Sequence, residues 1–277
     1  MQAGPIGFFD SGYGGLTVLR EVVRSMPEYD CVYLGDNARA PYGTRSYETV
    51  YAYTLECVEQ LFDMGCQLVI LACNTASAKA LRTIQQRDLP RLGSEKRVLG
   101  VIRPTAEAVG SYTQSGHVGV LGTTGTVLSD SYPIEIGKLH PNLIVEQEAC
   151  PMWVPLVENN EIHTPAADYF VEYRIKAIFS RDPKIDTLIL GCTHYPLLMP
   201  VIERHLPQGV ALVEQGTIVA EKLRDYLLRH PEMDERCTKG GVVRFYTTDS
   251  PSNFDQQATQ FFGSPVKSAQ ITVQHHH

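Results

Sequence analysis

The sequence predicts an α/β protein of two pseudo-symmetric lobes, each a mostly parallel sheet flanked by helices. Two observations support this prediction. Strand-like runs of four to six residues alternate with helix-like segments, and the first part of the chain is echoed in the second. Short apolar strands that alternate with helices are typical of βαβ units, in which parallel strands are covered on both faces.

The predicted strands are distributed along most of the chain. They cover residues 6–9, 31–34, 68–72, 98–102, 118–121, 143–146, 187–190 and 211–213. Apolar residues at helical spacing predict helices around residues 16–26 and over 47–64, and a further helix from about residue 73 to 86. Helical stretches also separate most of the later strands, which predicts parallel rather than antiparallel pairing.

Two echoes relate the lobes. The segment that begins at Val118 repeats the pattern of the one that begins at Ile6, an offset of 112 residues. The segments around Cys73 and Cys192 also resemble each other, and these cysteines are 119 residues apart. In each case a strand ends in a small residue and is followed by a polar cluster. Two similar offsets in the same order indicate two related α/β lobes.

Length and composition limit the classes of protein that the chain can be. Its 277 residues suggest two domains or one large one, because domains commonly have roughly 100–200 residues. Hydrophobic residues make up 43% and charged residues 20%, so a wholly disordered chain is excluded. The formal net charge is −7 and no basic stripe is present, so direct binding to nucleic acid is not expected.

The sequence shows no sign of export or membrane insertion. No apolar run approaches the ~20 residues that span a bilayer, and the N-terminal segment lacks a basic flank followed by an apolar stretch. The seven cysteines are an odd number and form no C-x-x-C pair, which favours reduced thiols and a cytoplasmic location. Residues 275–277 are interpreted as the remnant of a purification tag.

Polar clusters follow four of the predicted strands, at residues 10–11, 73–75, 123–126 and 192–194. Ligands of α/β sheets bind outside the carboxyl ends of the strands, near helix N-termini, so these clusters are expected to surround one site between the lobes. A thiol near a helix N-terminus has a lowered pKa. Cys73 and Cys192 are therefore the candidate reactive thiols, whereas the other five cysteines are expected to be buried and structural.

The polar residues beside these thiols allow a structural and a functional interpretation. His194 could orient or protonate a thiol or contact a carboxylate, and Asp10 could serve the site or cap the following helix. The loop of Tyr42 and Gly43 is a turn sequence whose backbone N–H groups could hold a carboxylate. Hydroxyl and amide groups that suit a small polar ligand, but that are also common in helix caps, belong to Ser11, Asn74, Thr75 and Thr193.

Three other kinds of site are weakly supported. The glycines at positions 12, 14 and 15 do not fit G-x-G-x-x-G, and no G-x-x-x-x-G-K-[ST] motif occurs, so nucleotide binding is disfavoured. Cys192 and His194 could be two zinc ligands, but no nearby pair completes a tetrahedral site. A Cys–His hydrolase would leave the second cysteine unexplained. We therefore expect neither a metal nor an organic cofactor.

Five segments carry a family resemblance. They are GFFDSGYGGLTVLREV from Gly7, YLGDNARAPYGTRS from Tyr33, LVILACNTASA from Leu68, VGVLGTTGT from Val118 and LILGCTHYPLL from Leu188. Together and in this order they closely resemble the glutamate racemases of the aspartate/glutamate racemase superfamily. Cys-Thr-His at 192–194 favours glutamate over aspartate. The chain departs from the family at Arg103, which stands where Glu commonly precedes the proline.

The resemblance implies that L- and D-glutamate are interconverted without a cofactor, supplying D-glutamate for peptidoglycan. Cys73 would act on D-glutamate and Cys192 on L-glutamate, while Asp10 and His194 would assist the thiols and the substrate ammonium. Glu158 is a weaker candidate at the edge of the site. The substrate-binding residues implied are Asp10, Ser11, Tyr42, Gly43, Asn74, Thr75, Thr123, Thr126, Thr193 and His194.

The family fold also implies how the chain is divided. The first lobe would be discontinuous, with residues 1–98 and 212–274, the second would contain residues 99–211, and the active site would lie in the cleft between them. A homodimer is expected. Two alternatives remain: a racemase for aspartate or another acidic amino acid, and a glutamate-binding or protein-interaction module, such as one that restrains DNA gyrase. The paired thiols argue against pure binding, because a carboxylate-binding cleft needs no cysteine on each side.

Overall fold

A computed structural model describes residues 3–273, so the predicted tag remnant lies outside the described residues. Within this range the strands are β1 (Ile6–Asp10), β2 (Cys31–Gly35), β3 (Leu68–Leu71), β4 (Arg97–Gly100), β5 (His117–Gly122), β6 (Ile144–Ala149), β7 (Thr187–Gly191), β8 (Ala211–Val213), β9 (Val243–Thr247) and β10 (Ser268–Gln270).

Helices follow most of these strands. They are α1 (Leu16–Ser25), α2 (Tyr47–Asp63), α3 (Asn74–Lys79), α4 (Leu81–Thr83), α5 (Leu89–Leu92), α6 (Ile102–Ala108), α7 (Thr124–Leu128), α8 (Ser131–Leu139), α9 (Trp153–Glu158), α10 (Pro165–Arg181), α11 (Met199–His205), α12 (Gln215–Arg229), α13 (Pro231–Asp234) and α14 (Pro251–Phe262). In the described part of the chain, no helix is both long enough and apolar enough to cross a bilayer.

The described strands form two sheets in which every pairing is parallel. The first sheet has the order β10-β9-β2-β1-β3-β4, and the second has the order β6-β5-β7-β8. Parallel strands covered by helices are buried on both faces, which is why β1, β2, β3 and β7 are buried throughout and apolar except for Asp10 and Thr187 at two of their ends. The predicted α/β fold with two lobes is confirmed.

The echo in the sequence corresponds to a repeated strand order. In the first sheet, β1 lies between β2 and β3, with β4 beyond β3; in the second, β5 lies between β6 and β7, with β8 beyond β7. The echoed segments at Ile6 and Val118 are the central strands β1 and β5. Those that end before Cys73 and Cys192 are their neighbours β3 and β7. The four polar clusters therefore lie at the ends of two pairs of corresponding strands, β1 with β5 and β3 with β7.

Some predicted boundaries differ from the structure. The strand predicted over residues 98–102 ends at Gly100, and Ile102 begins α6, because Pro104 lies in the first helical turn, where its missing N–H costs no hydrogen bond. The expected lobe boundaries at 98/99 and 211/212 fall inside β4 and β8, which pair with the first and second sheets respectively. A division after Gly100 and after Val213 keeps each sheet intact.

The strands β9 and β10 are absent from the sequence-based prediction. They extend the first sheet beyond β2, so the C-terminal segment contributes two strands to that sheet. β10 has the sequence SAQ and two of its three residues are exposed, so it carries no apolar signal. Its pairing with β9 depends on the tertiary structure rather than on a local pattern.

Candidate active site

A cavity of about 140 Å³ lies between the lobes, at the carboxyl ends of the central strands. Asp10 and Thr126 are buried behind its wall, where they contact residues that face the cavity. The other predicted site residues line it, namely Ser11, Tyr42, Gly43, Cys73, Asn74, Thr75, Thr123, Cys192, Thr193 and His194, together with Glu158. The four polar clusters predicted from the strand ends thus converge on one cavity.

Cys73 lies at the N-terminus of α3. Its sulfur accepts a hydrogen bond from the Ala76 N–H at 3.5 Å, and its S–H donates to Ser11 Oγ at 3.6 Å. Burial, followed by the negative charge of Asp10, raises the pKa of the Cys73 thiol to about 12. The expectation of a lowered pKa is therefore wrong for Cys73, because loss of water disfavours the thiolate more than the helix N-terminus favours it.

Cys192 lines the cavity from the second lobe, directly after β7. Its Sγ lies 3.9 Å from Nδ1 of His194, and Nε2 of the same ring lies 2.9 Å from Oε1 of Glu158. Burial lowers the pKa of His194, but the contacts with Cys192 and Glu158 outweigh it and raise the pKa to about 10. The arrangement therefore favours an imidazolium beside the Cys192 sulfur.

His194 should make the stability of the protein depend on pH. Its pKa of about 10 in the folded state exceeds the ordinary value of 6.5, so the folded state holds this proton more tightly than the unfolded state. The stabilisation is fully present below about pH 6.5 and is lost as pH rises through the folded-state pKa. We expect the free energy of unfolding, measured by urea titration, to fall between pH 6.5 and 9 more steeply in the wild type than in His194→Asn. Equal slopes would contradict this assignment.

Asp10 connects the lobes from behind the cavity wall. Its Oδ1 accepts a hydrogen bond from the Gly12 N–H at 2.9 Å, and its Oδ2 accepts one from Thr193 Oγ1 at 3.4 Å. Burial raises the pKa of Asp10, although His194 and the Gly12 N–H oppose this shift. The N-cap position of α1 belongs to Gly15, whose backbone N–H also stabilises the Asp10 carboxylate, so Asp10 serves both the turn before α1 and Thr193.

A chain of threonine hydroxyls joins the lobes on another side of the cavity. Thr75 Oγ1 lies 3.0 Å from Thr123 Oγ1, which lies 3.0 Å from Thr126 Oγ1 and caps α7. The carbonyl of Gly43 accepts a hydrogen bond from the Gly125 N–H at 2.8 Å. These contacts hold the strand-end loops of the two lobes against each other.

The side chain of Tyr42 does not serve the cavity directly. Its hydroxyl donates to Asp36, a buried carboxylate that also accepts hydrogen bonds from Arg39 Nε at 2.7 Å and Thr248 Oγ1 at 2.9 Å. Tyr42 is almost wholly buried and belongs to the loop that lines the cavity. Sequence reasoning missed Asp36, although its position directly after a predicted strand was a usable signal.

Sequence reasoning also missed Gln215, Tyr132 and Cys150. Both polar ends of the Asn74 side chain are hydrogen-bonded to Gln215 and Tyr132, so this amide supports the wall of the cavity. Cys150 lines the cavity, and its S–H lies 3.7 Å from the carbonyl oxygen of Glu148. Gln215 follows the predicted strand 211–213 by two residues, so the same kind of signal was available for it, whereas no strand-end position pointed to Tyr132.

The cavity is suited to an anionic ligand held without Lys or Arg, and His194 is a lining side chain that can carry a positive charge. None of the described residues that line it is Lys or Arg, so carboxylate groups would be held by backbone N–H groups and hydroxyls. Over residues 3–273, no group of three or more His, Cys, Asp or Glu side chains is arranged to hold a metal ion. Two thiols from different lobes at one small cavity suit proton transfer on two faces of a ligand.

Comparisons with known proteins agree with this geometry. A profile of the Asp/Glu/Hydantoin racemase family matches residues 13–223. A glutamate racemase of Streptococcus agalactiae is 40% identical, over 99% of this chain and 100% of that protein.

Two solved structures are similar over 99% of both chains. They are a glutamate racemase isoform of Bacillus anthracis (TM-score 0.89, 34% identity) and the glutamate racemase of Francisella tularensis in complex with D-glutamate (TM-score 0.87, 30% identity). The resemblance predicted from the five segments is confirmed, and the chain belongs to the glutamate racemases, within the Asp/Glu/Hydantoin racemase family.

Proposed function

We propose that the protein interconverts L- and D-glutamate by two-thiol acid/base catalysis, without an added cofactor. The observation that carries this proposal is the placement of Cys73 and Cys192 on different lobes at one cavity. Inversion at Cα requires a base that removes the proton from one face and an acid that delivers a proton to the opposite face. The names of the relatives and the D-glutamate in the Francisella tularensis structure support glutamate as the substrate.

Each thiol takes the role of base in one direction. Cys73 removes the Cα proton of D-glutamate while Cys192 protonates the opposite face, and in the reverse direction Cys192 removes the proton of L-glutamate. The family resemblance supports this assignment of thiols to enantiomers. The proton abstracted in each turnover stays on one sulfur, and the proton delivered comes from the other, so the two thiols exchange protonation states.

The substrate itself helps to form the thiolate. Burial keeps the pKa of Cys73 near 12 in the free protein, so this thiol is protonated at rest. The substrate ammonium brings a positive charge into a cavity whose described lining residues include no Lys or Arg, and such a charge favours the thiolate. On the other side, His194 points Nδ1 at Cys192 and is held by Glu158.

The cavity wall would bind the carboxylates and stabilise the carbanion. Ser11, Thr75, Thr123 and Thr193 present hydroxyls, and the Gly43 loop presents backbone groups. Such donors are held in place before the reaction, which makes them effective toward charge that develops at the Cα carboxylate. On the basis of the family resemblance, the proposal also includes the biological role: the D-glutamate is supplied for peptidoglycan. The protein would act in the cytoplasm as a homodimer.

A racemisation assay on the purified protein tests the proposed function. We expect both glutamate enantiomers to approach an equal mixture, and aspartate to be converted far more slowly, as measured by circular dichroism and chiral chromatography. Turnover should survive exhaustive treatment with a chelator and hydroxylamine. Activity only on aspartate, or only after a cofactor is added, would refute the proposal. Binding of glutamate without any racemisation would favour a binding module instead.

A further inference from the structure

A buried polar network crosses the seam between the lobes beside Cys73. Asn74 Nδ2 donates to Gln215 Oε1 at 2.7 Å, and the Tyr132 hydroxyl donates to Asn74 Oδ1 at 2.7 Å. Gln215 Nε2 lies 2.7 Å from the Tyr132 hydroxyl and 2.9 Å from Thr105 Oγ1. None of these four side chains is more than 4% exposed. Each end of the Asn74 and Gln215 amides therefore has a partner away from water.

The members of this network come from different parts of the fold. Asn74 is the first residue of α3 and directly follows Cys73, on the first lobe. Tyr132 lies in α8, which follows a strand of the second sheet. Gln215 is the first residue of α12, where the chain has left the second-sheet strand β8 and returns to the first lobe, so it lies at the seam. The residue that follows Cys73 is thus held by Tyr132 of the second lobe and by Gln215, which itself bonds to Tyr132 and Thr105 of the second lobe.

We propose that Gln215 is a positioning residue that sets Cys73 in register with the thiol of the other lobe. The inference rests on the proposed function, because it concerns how the two thiols are aligned across one Cα. Gln215 touches neither thiol in the structure; it acts on Cys73 through Asn74 and the start of α3. An error of about 1 Å in such an alignment is enough to lower a rate roughly 100-fold.

Misalignment of the two thiols should lower the rate of inversion at Cα more than the rate at which the Cα proton exchanges with solvent. Inversion needs both thiols in register with Cα at the same time, whereas exchange of the Cα proton with retention needs one thiol that trades its proton with solvent. A change in Gln215 that displaces α3 should therefore lower the rate of inversion and raise the share of exchange with retention. Partial unfolding would lower both rates equally and leave their ratio unchanged. The ratio separates positioning from a merely structural role.

The test uses Gln215→Leu in the whole protein, with L-glutamate and D-glutamate in deuterium oxide. NMR and chiral chromatography measure deuterium in the recovered substrate enantiomer and in the product. We expect inversion to fall roughly 10- to 100-fold, and the ratio of exchange to inversion to rise about fivefold or more. Tyr132→Phe removes only the hydroxyl and should raise the ratio of exchange to inversion by a smaller amount. If Gln215→Leu does not fold, the ratio measured with Tyr132→Phe tests the inference.

The matched control is Thr187→Val, which also removes a buried hydroxyl. Thr187 lies at the opposite end of β7 from Cys192, and its Oγ1 donates to Asp186 at 3.1 Å. We expect this control to keep the wild-type ratio. An unchanged ratio in both network variants of an active protein would overturn the inference alone. A wild-type protein that shows no turnover would instead refute the proposed function, and the inference with it.

Discussion

Replacing either Cys73 or Cys192 with serine should reduce racemisation of glutamate by orders of magnitude in both directions. Serine has nearly the shape of cysteine, so substrate binding should largely survive. Its hydroxyl is a far weaker acid than a thiol and cannot serve as the base at neutral pH. Because each direction needs one sulfur as base and the other as acid, both single variants should lose both directions.

The two variants should differ in the exchange that remains. In wild-type enzyme, deuterium from solvent should enter the product enantiomer first, since the proton delivered is not the proton removed. In Cys73→Ser the remaining thiol should exchange the Cα proton of L-glutamate, and in Cys192→Ser that of D-glutamate. This exchange requires the thiol to trade its proton with solvent before returning it. NMR of each enantiomer with each variant measures the expected mirror-image pattern.

Cys237→Ser provides a matched control for these variants. Cys237 is 5% exposed, as are Cys73 and Cys192, but it donates to the Met233 carbonyl and does not line the cavity. We expect near-normal racemisation in this control. If both site variants exchanged the same enantiomer, or if either kept near-normal racemisation, the two-thiol assignment would be wrong.

Gly14→Ala should damage the active site without changing either thiol. A methyl group at this position would lie 2.2 Å from Thr193 Oγ1 and 2.5 Å from His194 Nδ1. Thr193 could rotate its hydroxyl away, but the His194 ring is held by Glu158 and packs edge-on against Phe261. The ring must therefore shift away from the position it has beside the Cys192 sulfur. We expect kcat to fall roughly 100-fold, as is typical of a misplacement near 1 Å.

Gly137→Ala is the control for this substitution. Gly137 lies within α8 and a methyl group there would meet no atom within 4 Å. We expect unchanged kcat and a small gain in stability, about 0.5–1 kcal/mol, because alanine favours the helix. Steady-state kinetics and urea unfolding of the two variants measure the contrast. A Gly14→Ala protein with wild-type kcat would show that the His194 ring tolerates displacement.

The fold and the chemistry-bearing residues were readable in the sequence because both leave local signals. Buried parallel strands are short apolar runs, and the polar residues that follow them must meet at one edge of a sheet. For this reason the repeated segments that begin at Ile6 and Val118 predicted two lobes. The positions of Cys73 and Cys192 after predicted strands predicted one shared site. The strands β9 and β10 were missed because their sequences, VRFYT and SAQ, are not continuous apolar runs.

Long-range contacts and burial determine the positions, hydrogen-bond partners and pKa values of the site residues. Asn74 is paired with a glutamine 141 residues away, and the Tyr42 hydroxyl faces Asp36 rather than the cavity. Helix position alone led to the expectation of a lowered pKa for Cys73, but the folded protein raises it to about 12. The energy of a charged group depends on the water and charges around it, and these are set by packing between segments that are far apart in the sequence.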